Sequence, residues 1–349
     1  MSDKQTPVLA ISCGDLNGVG MEIIIKTLEN HAILDLCTPV VFASSKVAGY
    51  HRKAIDRPEF KFHIINSLDK IQPGKANLYN VWKEEVNLEM GKVDPEVGAF
   101  AIKSLEAACD SIDEGHCDAL ITAPIHKKAI QSENFRFTGH TDYLEDRYQS
   151  KAMMLMVSEE MRIALATVHQ PLSTVTKSIS TALLNDKFQA LHHILKEDFH
   201  LPKGRIAVLS LDPHAGDGGV IGKADDEIVK PSIEKAFQNG IAVFGPFPAD
   251  SFFGSGQYRQ FDAILAMYHD QGLTPFKSLS FGHGVNCTAG LPIVRCSPDH
   301  GTAFDIAGQG QADPSSFREA MYLAIDLVKN RGVSKEINAN PLKISKKKS

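Results

Sequence analysis

Short apolar runs alternate along this chain with longer segments of helical periodicity. The runs are "VLAIS" (8–12), "PVVFA" (39–43), "DALIT" (118–122), "RIAVLSL" (205–211) and "FDAILAM" (261–267). Their length and composition are typical of buried strands. Between them, "MEIIIKTLEN" (21–30) and "AFAIKSLEAACDSI" (99–112) repeat apolar residues at the spacing of one helix face. Strands that alternate with helices predict an α/β fold with a largely parallel sheet.

The length of the chain indicates more than one domain. At 349 residues it exceeds what one hydrophobic core normally organises, so we expect two domains with a cleft between them. The middle of the chain has its own strand candidates, "MMLMV" (153–157) and "RIALATV" (162–168), and its own strand–helix units. We therefore predict a discontinuous first domain, residues 1–137 plus 285–349, and a second domain, residues 138–284.

Composition and charge exclude several classes of partner. The formal net charge of −5 gives no general attraction to nucleic acid or to anionic membranes. No window approaches the roughly 18 apolar residues that a membrane span needs. Six cysteines form no CxxC pair, which disfavours a zinc–thiolate site and is typical of reduced, buried thiols. These features predict a cytoplasmic protein whose partner is a small molecule or another protein.

Three histidines follow strand candidates: His169, His214 and His269. They are too far apart in sequence for a local metal motif, so only the fold could bring them into one site. In α/β sheets, ligands collect beyond the carboxyl ends of strands, and imidazole is a common neutral metal ligand. The spacing alone leaves both a metal site and ordinary structural histidines open.

Several other polar residues could bind an anionic substrate. Lys277, Arg295 and the pair His140–Thr141 could supply cations and hydrogen-bond donors. Ordinary surface charge is the alternative, but Arg295 lies in the apolar run "LPIVRCS" and there needs a partner. Asn286 could contact a ligand or simply form a turn.

Three glycine-rich stretches occur, at 14–20, 216–223 and 300–313. None has the glycine spacing of a Rossmann dinucleotide fingerprint or of a phosphate-binding Walker loop. Glycines still permit a ligand to approach the backbone closely, although a tight turn explains any single one equally well.

Six ordered motifs point to one family. They are "GHTDYL", "DPHAGDGG", "GPFPAD", "MYHDQGLTPFK", "FGHGVN" and "SPDHGTAFDIAGQGQAD". Together they closely resemble the 4-hydroxythreonine-4-phosphate dehydrogenase family of vitamin B6 biosynthesis, over roughly positions 8 to 330. More widely, "GDLNGVGME" and "HGTAFDIAGQG" resemble segments of the isocitrate and isopropylmalate dehydrogenases. This resemblance implies two α/β/α domains with a cleft, and it implies NAD or NADP binding without a Rossmann fingerprint.

The resemblance assigns roles to individual residues. It implies that His169, His214 and His269 bind one divalent metal (Zn, Co, Mg or Mn) in an active site shared between the subunits of a homodimer. It implies substrate contacts from His140, Thr141, Lys277, Asn286 and Arg295. We place the cofactor against the last motif, with contacts from His300, Gly301, Asp305 and Asp313. Asp250 and Asp270 are candidates for the catalytic base, and a supporting role is an equal alternative for each.

The implied reaction is the NAD-dependent oxidation of 4-phosphooxy-L-threonine at C3, with decarboxylation to 3-amino-2-oxopropyl phosphate. Five positions depart from the family pattern: Leu16, Asn17, Met21, Asp212 and His283. They leave open a dehydrogenase of 4-phosphoerythronate or 4-phosphothreonate. Asp142 and Asp250 could accept hydrogen bonds from the ammonium group of a hydroxythreonine substrate. A non-catalytic protein that binds a metal or a phosphorylated metabolite is the alternative from another class.

Overall fold

The computed structural model describes residues 6–133 and 135–339, in which twelve strands form one continuous sheet. The strands are β1 (Val8–Ser12), β2 (Thr38–Ala43), β3 (His63–Ile65), β4 (Asn77–Asn80), β5 (Ala119–Thr122), β6 (Met153–Val157), β7 (Arg162–Leu165), β8 (Ile206–Leu209), β9 (Val243–Phe247), β10 (Ala263–Ala266), β11 (Val285–Ala289) and β12 (Val294–Pro298). The helices are α1 (Gly20–Leu28), α2 (Ser45–Ala54), α3 (Pro95–Asp113), α4 (Lys127–Ile130), α5 (His140–Tyr148), α6 (Leu172–Ser178), α7 (Thr181–Glu197), α8 (Lys230–Gln238), α9 (Ala249–Gly254), α10 (His269–Ser280) and α11 (Ser315–Ala339).

The sheet is parallel towards both ends and antiparallel in its centre. Its order is β3-β4-β2-β1-β5-β12-β11-β6-β7-β10-β8-β9. The pairings β12–β11, β11–β6 and β6–β7 are antiparallel, whereas the other neighbouring strands pair in parallel. The predicted α/β fold with a largely parallel sheet is confirmed.

The strands of the two predicted domains occupy opposite halves of the sheet. Strands from 1–137 and 285–349 fill the half that ends at β11, and strands from 138–284 fill the half that begins at β6. β11 and β6 pair along five residues, from Val285 opposite Val157 to Ala289 opposite Met153. The sheet therefore continues across the proposed boundary, and the division into two domains stays a prediction.

Helices cover both faces of the sheet, which explains why the strands are almost uninterrupted apolar runs. Leu9 and Ile11 of β1 belong to the same core cluster as the apolar residues of α1 and α11. Ala10, on the opposite face, packs in a second cluster with Leu105 of α3. Alternate residues of a strand point to opposite faces, so one short strand contributes to two cores.

Local sequence signals fix where α3 begins. Asp94 precedes it in an extended conformation, and its side chain accepts a hydrogen bond from the backbone N–H of Glu96 at 2.8 Å. Pro95 occupies the first helical position, where a missing N–H has no cost. The cap and the proline thus start the helix that supports α4.

The six cysteines are buried and unpaired. In the part of the chain that the structure describes, no helix is both long enough and apolar enough to cross a bilayer.

Candidate active site

A cavity of about 450 Å³ lies over the middle of the sheet. Four consecutive strands, β5, β12, β11 and β6, line it through Thr122, Arg295, Asn286 and Met154. Helix α5 and the segment that follows β7 complete its wall. Eight of the residues predicted from the sequence line this cavity: His140, Thr141, Asp142, His169, Asn286, Arg295, His300 and Gly301.

Arg295 is the buried cation of the cavity, with only 3% of its surface exposed. Its Nη1 donates to Thr288 Oγ1 at 2.7 Å and its Nη2 donates to Thr122 Oγ1 at 2.6 Å. Burial lowers the pKa of Arg295 to about 10, so the guanidinium still carries its charge at neutral pH. The two threonines supply the partners that a cation in an apolar strand requires.

His140 is the first residue of α5, directly after Gly139. Burial and the nearby Arg295 guanidinium hold the pKa of His140 well below its usual range. The imidazole is therefore neutral at pH 7, and one ring nitrogen can donate a hydrogen bond while the other accepts one. The neighbouring Asp142 also lines the cavity, and its carboxylate accepts a hydrogen bond from Thr138.

Several buried polar atoms of the cavity wall have no partner among the described residues: His140 Nε2, Asn286 Oδ1, Arg295 Nε and His300 Nε2. A buried polar group without a hydrogen bond costs about 1–3 kcal/mol, so such groups are rarely left together without a function. The wall therefore suits a small polar ligand that supplies the missing hydrogen bonds.

Two of the three predicted metal ligands lie side by side. The rings of His169 and His269 have centroids 5.8 Å apart, and His169 lines the cavity. Nδ1 of His269 lies 2.7 Å from Asp270 Oδ1. A carboxylate that accepts from one ring nitrogen leaves the other available as a ligand, which is the usual arrangement at metal-binding histidines. Burial, with smaller effects of Lys127 and His269, lowers the pKa of His169 and favours the neutral form that binds metals.

His214 lies in a left-handed turn after β8. Every residue from His214 to Gly218 has a positive φ, between 45° and 76°. The buried carboxylate of Asp225 holds the start of this turn, because it accepts the backbone N–H groups of Leu211 and Asp212, both at 2.9 Å.

The third histidine does not complete a metal cluster within this chain. Across residues 6–133 and 135–339, no three His, Cys, Asp or Glu side chains are grouped as a metal site. Gln271 joins the strand ends near His269 and His214: its Oε1 accepts from Met267 N and its Nε2 donates to Ser210 O, both at 2.7 Å. A three-histidine site therefore stays a prediction.

Lys277 and Asp250 do not line the cavity. Lys277 is exposed on α10, where its Nζ lies 3.4 Å from the backbone oxygen of Asp299, next to the cavity residue His300. Asp250 is exposed in the first turn of α9. Their predicted roles, and that of Asp270, stay predictions.

The predicted cofactor loop follows β12 and is held in place by hydrogen bonds from α1. Lys26 of α1 donates to the backbone oxygens of Gly310 (2.8 Å) and Ala312 (2.7 Å), and to Glu22 Oε1 (2.9 Å). Glu22 is fully buried and also accepts from Ala312 N. Asp313 caps α11 by accepting from Ser315 N at 2.9 Å, and Asp305 is exposed. The glycine-rich stretches 14–20 and 300–313 are neighbours, because the backbone N–H of Val19 donates to the backbone oxygen of Thr302 at 3.0 Å.

Three residues of this site were not predicted from the sequence. Thr122 and Thr288 hold Arg295 from neighbouring strands, a contact that depends on strand order. Lys127 also lines the cavity, directly after the loop that leaves β5. Its position in "APIHKK" immediately after a strand end is the one signal that could have identified it.

Known proteins resemble the chain over almost its whole length. The sequence model of a family described as pyridoxal phosphate biosynthetic protein PdxA matches residues 35–324. A 4-hydroxythreonine-4-phosphate dehydrogenase from Bacteroides thetaiotaomicron is 47% identical over 337 residues, which is 96% of this chain and 92% of that protein. A protein of the same name from Prosthecochloris aestuarii is 40% identical, over 92% of this chain and 97% of the relative.

Solved structures agree. The crystal structure of 4-hydroxythreonine-4-phosphate dehydrogenase from Klebsiella pneumoniae has a TM-score of 0.82 at 30% identity and covers 94% of this chain and 99% of its own. A terephthalate 1,2-cis-dihydrodiol dehydrogenase from Burkholderia xenovorans, 24% identical, shares the fold with a TM-score of 0.61, over 92% of this chain and 98% of that one. The chain is therefore an oxidoreductase of the PdxA family, the 4-hydroxythreonine-4-phosphate dehydrogenases, with the isocitrate and isopropylmalate dehydrogenase-like fold.

Proposed function

We propose that the chain oxidises 4-phosphooxy-L-threonine at C3 with NAD and releases carbon dioxide to form 3-amino-2-oxopropyl phosphate. One observation carries the proposal: a single cavity unites Arg295, His140 and Asn286 with His169, in a chain of this family. The hydride from C3 goes to the cofactor and the hydroxyl proton goes to a base. The bond between C1 and C2 then breaks, and C2 takes up a proton.

The cavity residues bind and orient the phosphorylated substrate. Arg295 keeps its position because both Nη atoms are bonded to threonines, so its Nε and its charge face the ligand without reorganisation. His140 Nε2 and Asn286 Oδ1 add hydrogen bonds of fixed direction. Lys277 would join them from α10, beside His300.

The histidines suit a divalent cation by their chemistry and by the Asp270 contact to His269. His169 and His269 would hold the cation, with His214 of a second subunit or after movement of its turn. The bound cation would act as a Lewis acid towards the C3 oxygen in both steps. Asp270 orients the His269 ring, which favours a supporting role for this residue and leaves Asp250 as the other candidate base.

The cofactor would lie against the loop 300–313. His300 and Gly301 line the cavity at the start of this loop, where a nicotinamide ring must lie to accept the hydride. The exposed carboxylate of Asp305 would repel the 2′-phosphate of NADP, so we favour NAD.

A homodimer with shared active sites is supported by exposed apolar side chains beside the predicted ligands. Leu172 follows His169 and is 67% exposed, Val220 follows His214 and is 82% exposed, and Phe281 follows α10 and is 85% exposed. Large apolar groups at three such positions fit a surface that a second subunit covers. The buried, unpaired cysteines fit a cytoplasmic location.

The amino group of the substrate distinguishes the main proposal from a phosphorylated sugar acid. The carboxylates of Asp142 and Glu145 line the cavity and favour an ammonium group over a hydroxyl group at C2. The positions that depart from the family pattern lie elsewhere: Leu16 and Met21 are fully buried, and Asn17 ties its loop to Glu89 N and Lys92 O.

The deciding experiment measures NADH formation by the metal-loaded protein. We expect turnover of 4-phosphooxy-L-threonine with a kcat/KM at least about tenfold above that for 4-phosphothreonate or 4-phosphoerythronate. A preference for either sugar acid would replace the substrate assignment. Metal binding and ligand binding without NADH or NADPH formation would instead support the non-catalytic alternative.

A further inference from the structure

We propose that Lys127, which lines the same cavity as Arg295, binds the carboxylate of the substrate. The inference deepens the proposed function, because it assigns one substrate group to a residue that neither the motifs nor the relatives' names identify. Lys127 is exposed at the start of α4, and its side chain lines the cavity together with His169.

The position of Lys127 is set by close packing beneath it. Helix α4 lies against α3 at Gly98, where an added Cβ would overlap the backbone oxygen of Ala129. The backbone of α4 therefore rests directly on α3, whose own start is fixed by the Asp94 cap. A short helix held this closely presents its first side chain from a defined place.

The ammonium of Lys127 is not engaged by the part of the chain that the structure describes. It forms no hydrogen bond or ion pair with residues 6–133 and 135–339. The carboxylates across the cavity have other partners: Asp142 accepts from Thr138, and Glu145 accepts from the backbone N–H of Ala152 at 2.7 Å. Lys127 is thus a cation beside the cavity with its donors available to a ligand.

The substrate has two anionic groups, its phosphate and its carboxylate, and the cavity offers two cations for them, Arg295 and Lys127. Arg295 donates one N–H of each Nη to a threonine, and its charge acts on His140. Lys127 lines the cavity together with His169, on which its charge acts. A substrate with its phosphate at Arg295 and its reacting carbon at His169 would place its carboxylate near Lys127.

The test measures binding by calorimetry to the zinc-loaded full-length protein. One ligand is 4-phosphooxy-L-threonine, and the other is 3-amino-2-hydroxypropyl phosphate, which keeps the phosphate, hydroxyl and amino groups but lacks the carboxylate. For Lys127→Met we expect about tenfold or greater weakening for the acid, the usual effect of losing a charge-assisted hydrogen bond. Binding of the decarboxylated ligand should change by less than about twofold.

Lys128→Met is the matched control, since this lysine is the next residue of α4, is also exposed, and does not line the cavity. It should leave both affinities unchanged. Equal weakening of both ligands by Lys127→Met, or no weakening of the acid, would overturn the inference. Wild-type protein that binds both ligands but forms no NADH would refute the proposed reaction while the Lys127 comparison still decides this inference.

Discussion

The part of the cavity around Arg295 and the segments that carry the three histidines differ in how many of their contacts a single chain supplies. Arg295 is 3% exposed and is fixed by two strand-borne threonines. The side chain of His269 is 40% exposed, and His214 lies in a turn that does not bring it to the other two histidines as a metal cluster of the described residues. Exposed apolar side chains come after these histidines in sequence: Leu172 after His169, Val220 after His214 and Phe281 after the helix that begins with His269. The proposed homodimer accounts for this difference: one subunit would preform the substrate end, and assembly would complete the metal end.

The largest expected effect is a loss of metal binding and of turnover, while the rest of the cavity still binds its ligand. His269→Ala should reduce turnover by at least about 100-fold and lower the bound metal, because it removes a ligand that Asp270 orients. Elemental analysis and NADH formation measure both. Phosphate-ligand binding, measured by calorimetry, should survive. His283→Ala, an exposed histidine in the same half, is the control. Full metal content in His269→Ala would refute the assignment.

Breaking the proposed subunit contact should have the next largest effect. Phe281→Asp places a charge on a side chain that is 85% exposed in one chain, so the isolated subunit should fold normally. In a dimer that covers this residue, the charge would be desolvated and the subunits should separate. We expect sedimentation as a monomer and at least about tenfold weaker metal binding. Phe237→Asp, at a phenylalanine 62% exposed on α8, should change neither.

Replacing Lys26, which lies beneath the predicted cofactor loop, should lower the free energy of unfolding more than it affects subunit assembly. Lys26→Met removes the partner of the fully buried Glu22 and three hydrogen bonds. Loss of one member of a buried ion pair costs about 3–5 kcal/mol, and urea unfolding would measure it. The matched control is Lys46→Met, whose pair with Glu85 has side chains 61% and 88% exposed. There we expect less than about 1 kcal/mol. Similar losses of unfolding free energy for both variants would contradict the expectation that the buried Lys26–Glu22 pair stabilises the fold more than the exposed Lys46–Glu85 pair.

The smallest effect is a pH dependence that originates at His140. Its pKa in the folded chain is held below the unfolded value, first by burial and then by Arg295. As the pH falls below about 6.5, the unfolded chain takes up a proton that the folded chain does not, so acid destabilises the fold. His140→Gln should reduce the dependence of the free energy of unfolding on pH, by up to about 1.4 kcal/mol per pH unit. Unfolding at pH 7.5 and pH 5.5 tests it, with the exposed His31→Gln as control. If the pH dependence of unfolding were the same in His140→Gln as in the wild type, the lowered pKa of His140 would be contradicted.

The fold was more predictable than the site. The apolar runs 8–12 and 153–157 coincide with β1 and β6, because buried strands are almost continuous apolar runs and can be recognised by their composition. The antiparallel centre of the sheet was missed, because pairing direction depends on long-range order. Arg295 and His169, predicted from their positions within and after apolar runs, line the cavity. Lys127 also lines it, and its one sequence signal was its place just after a strand end. The roles of Asp250 and Lys277 stay predictions, because neither side chain lines the cavity.

The interleaving of the two halves has a consequence for synthesis on the ribosome. Strand β5 ends at Thr122, yet its neighbour β12 begins only at Val294. At about 5–20 residues per second, an emerging chain waits roughly 10–30 s before the strand that covers this edge has been made. During that interval the hydrogen-bonding groups of β5 face solvent or other chains, as on any exposed sheet edge. Expression at lower temperature or with a chaperone should therefore raise the soluble yield of this protein, and a truncation before residue 294 should aggregate.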